Sequence, residues 1–234
     1  MVRWQIQSYF RNWKNCTFHD YRLVDVYNRF RNFPHLWLSS LSSIEFNFHS
    51  FFRQSCFKLR TILNKFEQWI GNYPDFPKKG ILFRDISPLL ASPEGMSLLK
   101  KEFLKLIADW KPDLIAGIDA RGFLFSTLIS ESLNIGSLMI RKSGKLPGKV
   151  IERSYDLEYG SNTLAMQKLN NLQDKKVVIM DDLLATGGTM QCAKSLIESQ
   201  GAEVCGCAVV VELNFLEASK CLECPVVSLA SYDD

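Results

Sequence analysis

The chain has no histidine after residue 50: His19, His35 and His49 are its only three in 234 residues. Acid–base chemistry in the rest of the chain must therefore use carboxylate, lysine, tyrosine or a substrate's own groups, and serine–histidine or cysteine–histidine hydrolase schemes lose their base. No apolar run approaches the length needed to cross a bilayer, and the N-terminus lacks the compact apolar block of a signal peptide. Neither a Gly-x-x-x-x-Gly-Lys-Ser/Thr loop nor a Gly-x-Gly-x-x-Gly fingerprint occurs. An excess of one charge is also lacking, since 28 Lys+Arg against 25 Asp+Glu is too even to imply nucleic acid. Seven cysteines, an odd number at irregular spacing, read as reduced thiols of a cytoplasmic protein. Cys205-x-Cys207 with Cys221-x-x-Cys224 matches no usual zinc spacing. Cys205 and Cys207 fall in an expected strand, Val204 to Val211, where alternation places both on one face as buried thiols.

Residues 1–58 lack glycine altogether and hold only Asp20, Asp25 and Glu45 as acids among many Phe, Trp, Tyr, Arg, Asn and Ser. No helical or strand period is sustained there, so the segment reads as a basic, aromatic-rich leader, disordered or mispredicted. Organellar targeting is the competing reading, against which the bulky aromatics and acids speak. A DNA-contacting arm would need a helix pattern that is missing.

What is present is organised around Val177-Val178-Ile179-Met180-Asp181-Asp182-Leu183-Leu184-Ala185-Thr186-Gly187-Gly188-Thr189-Met190. Four apolar residues in a row predict a buried parallel strand. Two carboxylates follow at its end, then a loop of small residues, then a helix from Thr189 with Met190, Ala193, Leu196 and Ile197 on one stripe. Glycines admit backbone N–H groups close to a phosphate, and the helix dipole favours negative charge there. Paired carboxylates suit sugar hydroxyls, or Mg²⁺ together with substrate phosphates. The stretch asks for a ligand with a phosphate at one end and a diol beside it.

Around it, alternation of strands and helices predicts an α/β domain over 59–234 with a central, mainly parallel sheet. Leu59, Ile62, Leu63, Phe66, Trp69 and Ile70 predict a helix capped by Gly71. Tyr73 to Pro88, with its prolines and Gly80, predicts a shaped loop in which Phe83 either stacks on a flat base or joins the core. A helix from Glu94 to Trp110, strand Leu114 to Ile118, helix Phe123 to Leu133 and strand Ser137 to Ile140 follow. Arg121, Arg141 and Lys142 then lie beyond strand carboxyl ends, where ligands of open sheets bind. Arg121 is placed for a bidentate phosphate grip, with a plain surface arginine as the alternative. Lys142 to Gly160 is a long polar connection, either a lid or an exposed hairpin. Pro225 to Leu229 predicts an edge strand.

The Val177–Met190 stretch resembles the signature of the type I phosphoribosyltransferases, which bind phosphoribosyl pyrophosphate (PRPP). Phe83-Arg84-Asp85-Ile86-Ser87-Pro88, Asp119-Ala120-Arg121-Gly122-Phe123-Leu124-Phe125, Arg141 to Gly148 and Ser154 to Gly160 make residues 60–234 similar to the adenine branch of that family. The resemblance implies a small base-binding hood at about 70–90 and transfer of adenine onto PRPP with Mg²⁺, carried mainly by PRPP rather than by an all-protein site. By the same resemblance Asp181 and Asp182 would hold the ribose, and Ala185, Thr186, Gly187, Gly188 and Thr189 the 5′-phosphate. Asp119, Ala120, Arg121, Arg141, Lys142 and Lys145 would hold pyrophosphate, with a non-proline cis bond in the Asp119–Arg121 loop and Lys145 reaching in from the partner of a homodimer. Leu82, Phe83, Arg84 and Leu213 would bind adenine, and Glu158, Tyr159 and Arg121 would be catalytic. No membrane or nucleic-acid partner is implied. Lys78-Lys79, Ser126, Ala165 and Leu169 depart from the family pattern. They leave as alternatives a transferase for another purine and a weak PRPP-binding paralogue or regulator.

Overall fold

The computed structural model describes residues 65–157, 160–169 and 171–234, with side chains at 156, 157, 160 and 161 excepted. The leader 1–58, the first half of the helix expected at 59–70, and Glu158 and Tyr159 lie outside the described residues.

Two sheets are present among the described residues. The larger runs β5-β6-β4-β3-β7-β8-β9, built from β3 (Leu114–Ile118), β4 (Gly136–Lys142), β5 (Val150–Leu157), β6 (Gly160–Gln167), β7 (Lys176–Leu184), β8 (Glu203–Leu213) and β9 (Val226–Tyr232). The five strands β4, β3, β7, β8 and β9 are parallel, and the antiparallel hairpin β5–β6 extends one edge. Central strands read as unbroken apolar runs because helices cover both faces. Helix α4 (Gly188–Glu198) buries Met190, Ala193, Leu196 and Ile197 against one face with Val177, Ile179 and Val209. Helices α1 (Ser87–Ala91), α2 (Pro93–Leu106) and α3 (Gly122–Leu133) bury Leu89, Leu99, Phe103, Phe125 and Ile129 against the other with Val178, Met180 and Val210. Ser92 caps α2, its Oγ accepting from the Gly95 amide at 3.0 Å, and Pro93 takes the first turn, where its missing N–H costs nothing.

Several expectations need correction. Gly71 is not a helix cap; it opens β1 (Gly71–Pro74), opposite Asp85 of β2 (Leu82–Asp85). The expected 73–88 loop is thus a hairpin that runs into α1. Pro74 ends β1, Pro88 sits in the first turn of α1, and the connection closes with a cis Phe76–Pro77 bond, Gly80 at φ +89° and the Gly80 amide donating to Asp75 Oδ1 at 2.7 Å. Val150–Leu157 is strand rather than loop, the hairpin alternative. β7 continues through both aspartates, and β8 through Glu212 and Leu213.

Cys205 and Cys207 do not share a face. Pairing shifts from Val177–Val204 to Val178–Gly206, so Cys205 is the extra residue of a β-bulge, which resets the alternation. Cys207 enters the core under α4, and its Sγ lies 3.6 Å from that of Cys224, whereas Cys205 packs toward the opposite side. Burial pushes the Cys205 thiol up to about 11, which keeps it protonated and inert. Among the described residues no cluster of three or more His, Cys, Asp or Glu could cage a metal.

Candidate active site

The chain leaves β3 for β4 on one side and later returns to place β7 on the other. The reversal opens a crevice beyond the carboxyl ends of β3 and β7, where open α/β sheets bind ligands. Asp119, Ala120 and Arg121 follow β3 directly, and the Asp119–Ala120 peptide is cis. Gly122 then starts α3 against β7. A Cβ there would lie 2.5 Å from the Met180 carbonyl oxygen and 3.2 Å from Asp181 Oδ1, so only glycine lets the helix begin this close to the carboxylates.

That approach sets the charges. Arg121 Nη2 lies 2.9 Å from Asp182 Oδ2, and Asp182 is buried while Arg121 stays 43% exposed at the crevice. The two were expected to meet different parts of a ligand; here they meet each other. The Asp182 amide donates to Asp181 Oδ1 at 2.9 Å. Burial, and next the Asp182 charge, push the Asp181 carboxyl up to about 8. Asp182 is also raised by burial, held back by Arg121. Two carboxyls this close resist carrying two negative charges at once, and both present oxygens to whatever enters the crevice.

Beyond β7, Gly187 takes φ +84° and caps α4 without a side-chain hydrogen bond. The first amides of an eleven-residue helix are therefore left for a ligand, at the positive end of its dipole. Arg121, Asp181, Asp182, Thr186, Gly187 and Thr189 line a cavity of ≈ 230 Å³ together with Leu183, Leu184, Ala185 and Met190. Every sequence-predicted ribose and 5′-phosphate residue except Gly188, the first residue of α4, lines this cavity. Tyr155 of β5, which the sequence did not single out, shares a 3.0 Å hydrogen bond between its hydroxyl and Thr189 Oγ1.

Arg141 bridges the two flanking loops, its Nε donating to Asp119 Oδ2 at 2.9 Å and its Nη1 to the Lys145 carbonyl at 3.2 Å. Lys142 and Lys145 themselves are exposed. On the hood, Leu82 is exposed and Phe83 half-buried, its ring edge-to-face with Phe76 at 5.2 Å. Leu213 ends β8 beside Tyr232 of β9. The Arg84 side chain is buried and held by Asn72, Tyr232 and Asp234, three residues with no motif to announce them. Ser126 fits its site, where its Oγ donates to the Phe123 carbonyl at 3.3 Å and accepts from Ser137 at 3.2 Å. Ala165 is buried in β6, opposite Arg141 and Glu152.

A cis loop after one strand, a carboxylate pair and amide cradle after its neighbour, and a hairpin hood define a phosphoribosyltransferase fold. Consistent with this, the family described as "Phosphoribosyl transferase domain" matches residues 88–220. The adenine phosphoribosyltransferase of Rhodospirillum rubrum is 45% identical over 164 residues, 70% of this chain and 96% of that protein. That of Nitrosopumilus maritimus is 46% identical over 151 residues, 64% of this chain and 89% of its own length. Among solved structures, the adenine phosphoribosyltransferase of Thermoanaerobacter pseudethanolicus superimposes with a TM-score of 0.70 at 40% identity, covering 73% of this chain and 99% of that one. The Saccharomyces cerevisiae enzyme, in complex with an imino-altritol bisphosphate and adenine, gives 0.69 at 34% identity, with 73% and 99% covered. The chain belongs to the adenine phosphoribosyltransferase family.

Proposed function

We propose that this protein transfers the 5-phosphoribosyl group of PRPP to adenine, giving AMP and pyrophosphate in purine salvage. The observation that carries the reading is the crevice itself, where two adjacent carboxyls, the Arg121 guanidinium and uncapped helix amides meet at one switch point. The α4 amides and Thr186–Thr189 take the 5′-phosphate, and Asp181 and Asp182 accept hydrogen bonds from the ribose hydroxyls. When substrate arrives, Arg121 turns from Asp182 to the pyrophosphate, joined by the Asp119–Ala120 backbone, Arg141, Lys142 and the partner's Lys145. Negative charge grows on pyrophosphate as its bond to C1′ breaks, and these cations stabilise it. Adenine attacks from the opposite side, stacked on Phe83, read along its edge by the backbone of Leu82 and Arg84, and covered by Leu213. Glu158 handles the adenine proton and Tyr159 closes with it over the site, excluding water that would hydrolyse PRPP.

Asp181 and Asp182 are a carboxyl pair of the kind that suits Mg²⁺ arriving on PRPP, with phosphate and water oxygens completing its shell. Bound there, Mg²⁺ would neutralise the departing pyrophosphate. A cytoplasmic homodimer is the assembly we propose.

The test is nucleotide formation from PRPP and Mg²⁺ with adenine, hypoxanthine or guanine. AMP from adenine alone is the expected result, because a site bonding the adenine amino group leaves polar groups mispaired against 6-oxopurines. Turnover of another base would reassign the specificity, and PRPP binding without turnover would make the protein a sensor.

A further inference from the structure

The hood hairpin is a two-stranded sheet, too small to hold its own position. Ile70 and Ile86 anchor its base in the core, and from within the hairpin itself one buried side chain, Arg84, ties it to the sheet that carries the crevice. The Arg84 guanidinium carbon lies 3.7 Å from the centre of the Tyr232 ring. Its Nη1 donates to Asn72 Oδ1 at 2.7 Å, across the hairpin, and its Nη2 donates to Asp234 Oδ1 at 2.8 Å. Arg84 is 8% exposed, so its cation is largely removed from water and its contacts count for more than surface ones. Tyr232 is in turn the register partner of Leu213. One end of the clamp thus adjoins Phe83 and Leu82 in β2, and the other adjoins Leu213 in β8.

We infer that Arg84, acting through Tyr232, is a positioning residue that sets the separation between the two walls of the base slot, Phe83 and Leu213. A purine accepts stacking partners only at van der Waals distance on both faces, so a wall displaced by about 1 Å loses much of the contact. The clamp controls capture of the base and leaves the PRPP crevice untouched. The inference rests on the adenine reading given above, and the test separates the two.

Tyr232→Leu removes the aromatic face while keeping apolar volume, Tyr232→Phe restores it, and Asp234→Asn removes the exposed end of the ion pair without disturbing the core. In Tyr232→Leu, hydrogen exchange of the 71–85 amides should rise about tenfold while β7 amides stay protected, and KM for adenine should rise about tenfold with KM for PRPP unchanged. Tyr232→Phe should return both readouts to the original values, and Asp234→Asn should give a two- to threefold change in KM for adenine. Unchanged hood exchange in Tyr232→Leu would overturn the clamp whatever the substrate is. Faster hood exchange with equal rises in both KM values, or none, would overturn the positioning role. Failure of the unmodified protein to use adenine would instead sink the functional reading, and the exchange data would still judge the clamp.

Discussion

The two ends of the β3–β7 strand pair carry carboxylates in opposite circumstances. At the amino end, Asp113 is solvent-facing and fully engaged. Its backbone N–H donates to the Lys176 carbonyl at 2.8 Å, its Oδ2 accepts from the Lys176 amide at 2.9 Å, and Lys175 lies 3.4 Å away. The amide hydrogen bond, then the Lys175 charge, hold its carboxyl below the usual range. At the carboxyl end Asp181 is half-buried beside the buried Asp182, and desolvation and that neighbour push its carboxyl upward. The same two strands therefore spend stability at one end and recover some at the other. A carboxylate that the fold satisfies is structural, whereas one that the fold buries without a full set of partners is reserved for a ligand.

Four substitutions test that contrast. Arg121→Gln should have the largest effect, lowering kcat/KM for PRPP by about 10²–10³ because a cation facing developing charge is lost. It should also destabilise the protein, since Asp182 is left buried without its partner. Activity near the original level would mean that Arg121 serves only Asp182. Gly122→Ala comes next, with a loss of about 1–3 kcal/mol in unfolding free energy and a lower kcat, as the new methyl forces α3 away from Met180.

Asp181→Asn should lower turnover by about tenfold, as one contact to the ribose is lost, yet raise the stability of the ligand-free protein by about 1–2 kcal/mol at pH 8–9. The sign follows from the raised pKa. Such a group's contribution is complete below its unfolded value, about 3.9, and is lost as pH rises through about 8. The gain in Tm should therefore vanish at pH 4, and an equal gain at both pH values would remove burial as its cause. Asp113→Asn should have the smallest effect, a Tm lower by roughly 1–2 °C at pH 7 with kinetics unaltered. Because the Asp113 pKa is depressed, that difference should fade as pH falls through its folded value.

The legible parts of the molecule are those written contiguously. Val177–Met190 carries strand, carboxylates, loop and helix start in fourteen consecutive residues, and the structure assembles them in the crevice as the periodicity implies. The parallel order could be inferred from strand–helix alternation alone. Elements made by distant pairs were not legible. The hood strands pair Gly71 with Asp85, and Arg84 finds Asp234 across the whole domain, so no local pattern reports either. Tyr155 reaches Thr189 only because β5 folds back along α4. The Cys205 bulge defeated a period-two argument, since one inserted residue reverses every later side chain. Arg121 lies past the end of β3, as its place in the sequence implies, but its ion pair with Asp182 depends on the closeness that Gly122 permits.

Gly187 has a consequence for how this protein can change over generations. A Cβ at Gly187 would lie 3.1 Å from the Ala218 Cβ, so the phosphate loop rests on the smallest side chain that a chiral residue can offer. Enlarging Ala218 would press on the loop from behind as surely as replacing the glycine would from within. The two positions are therefore sterically coupled, although only the first belongs to a recognisable signature. Gly187 must in addition stay glycine for its φ of +84°, so room behind the loop can be adjusted only from the Ala218 side.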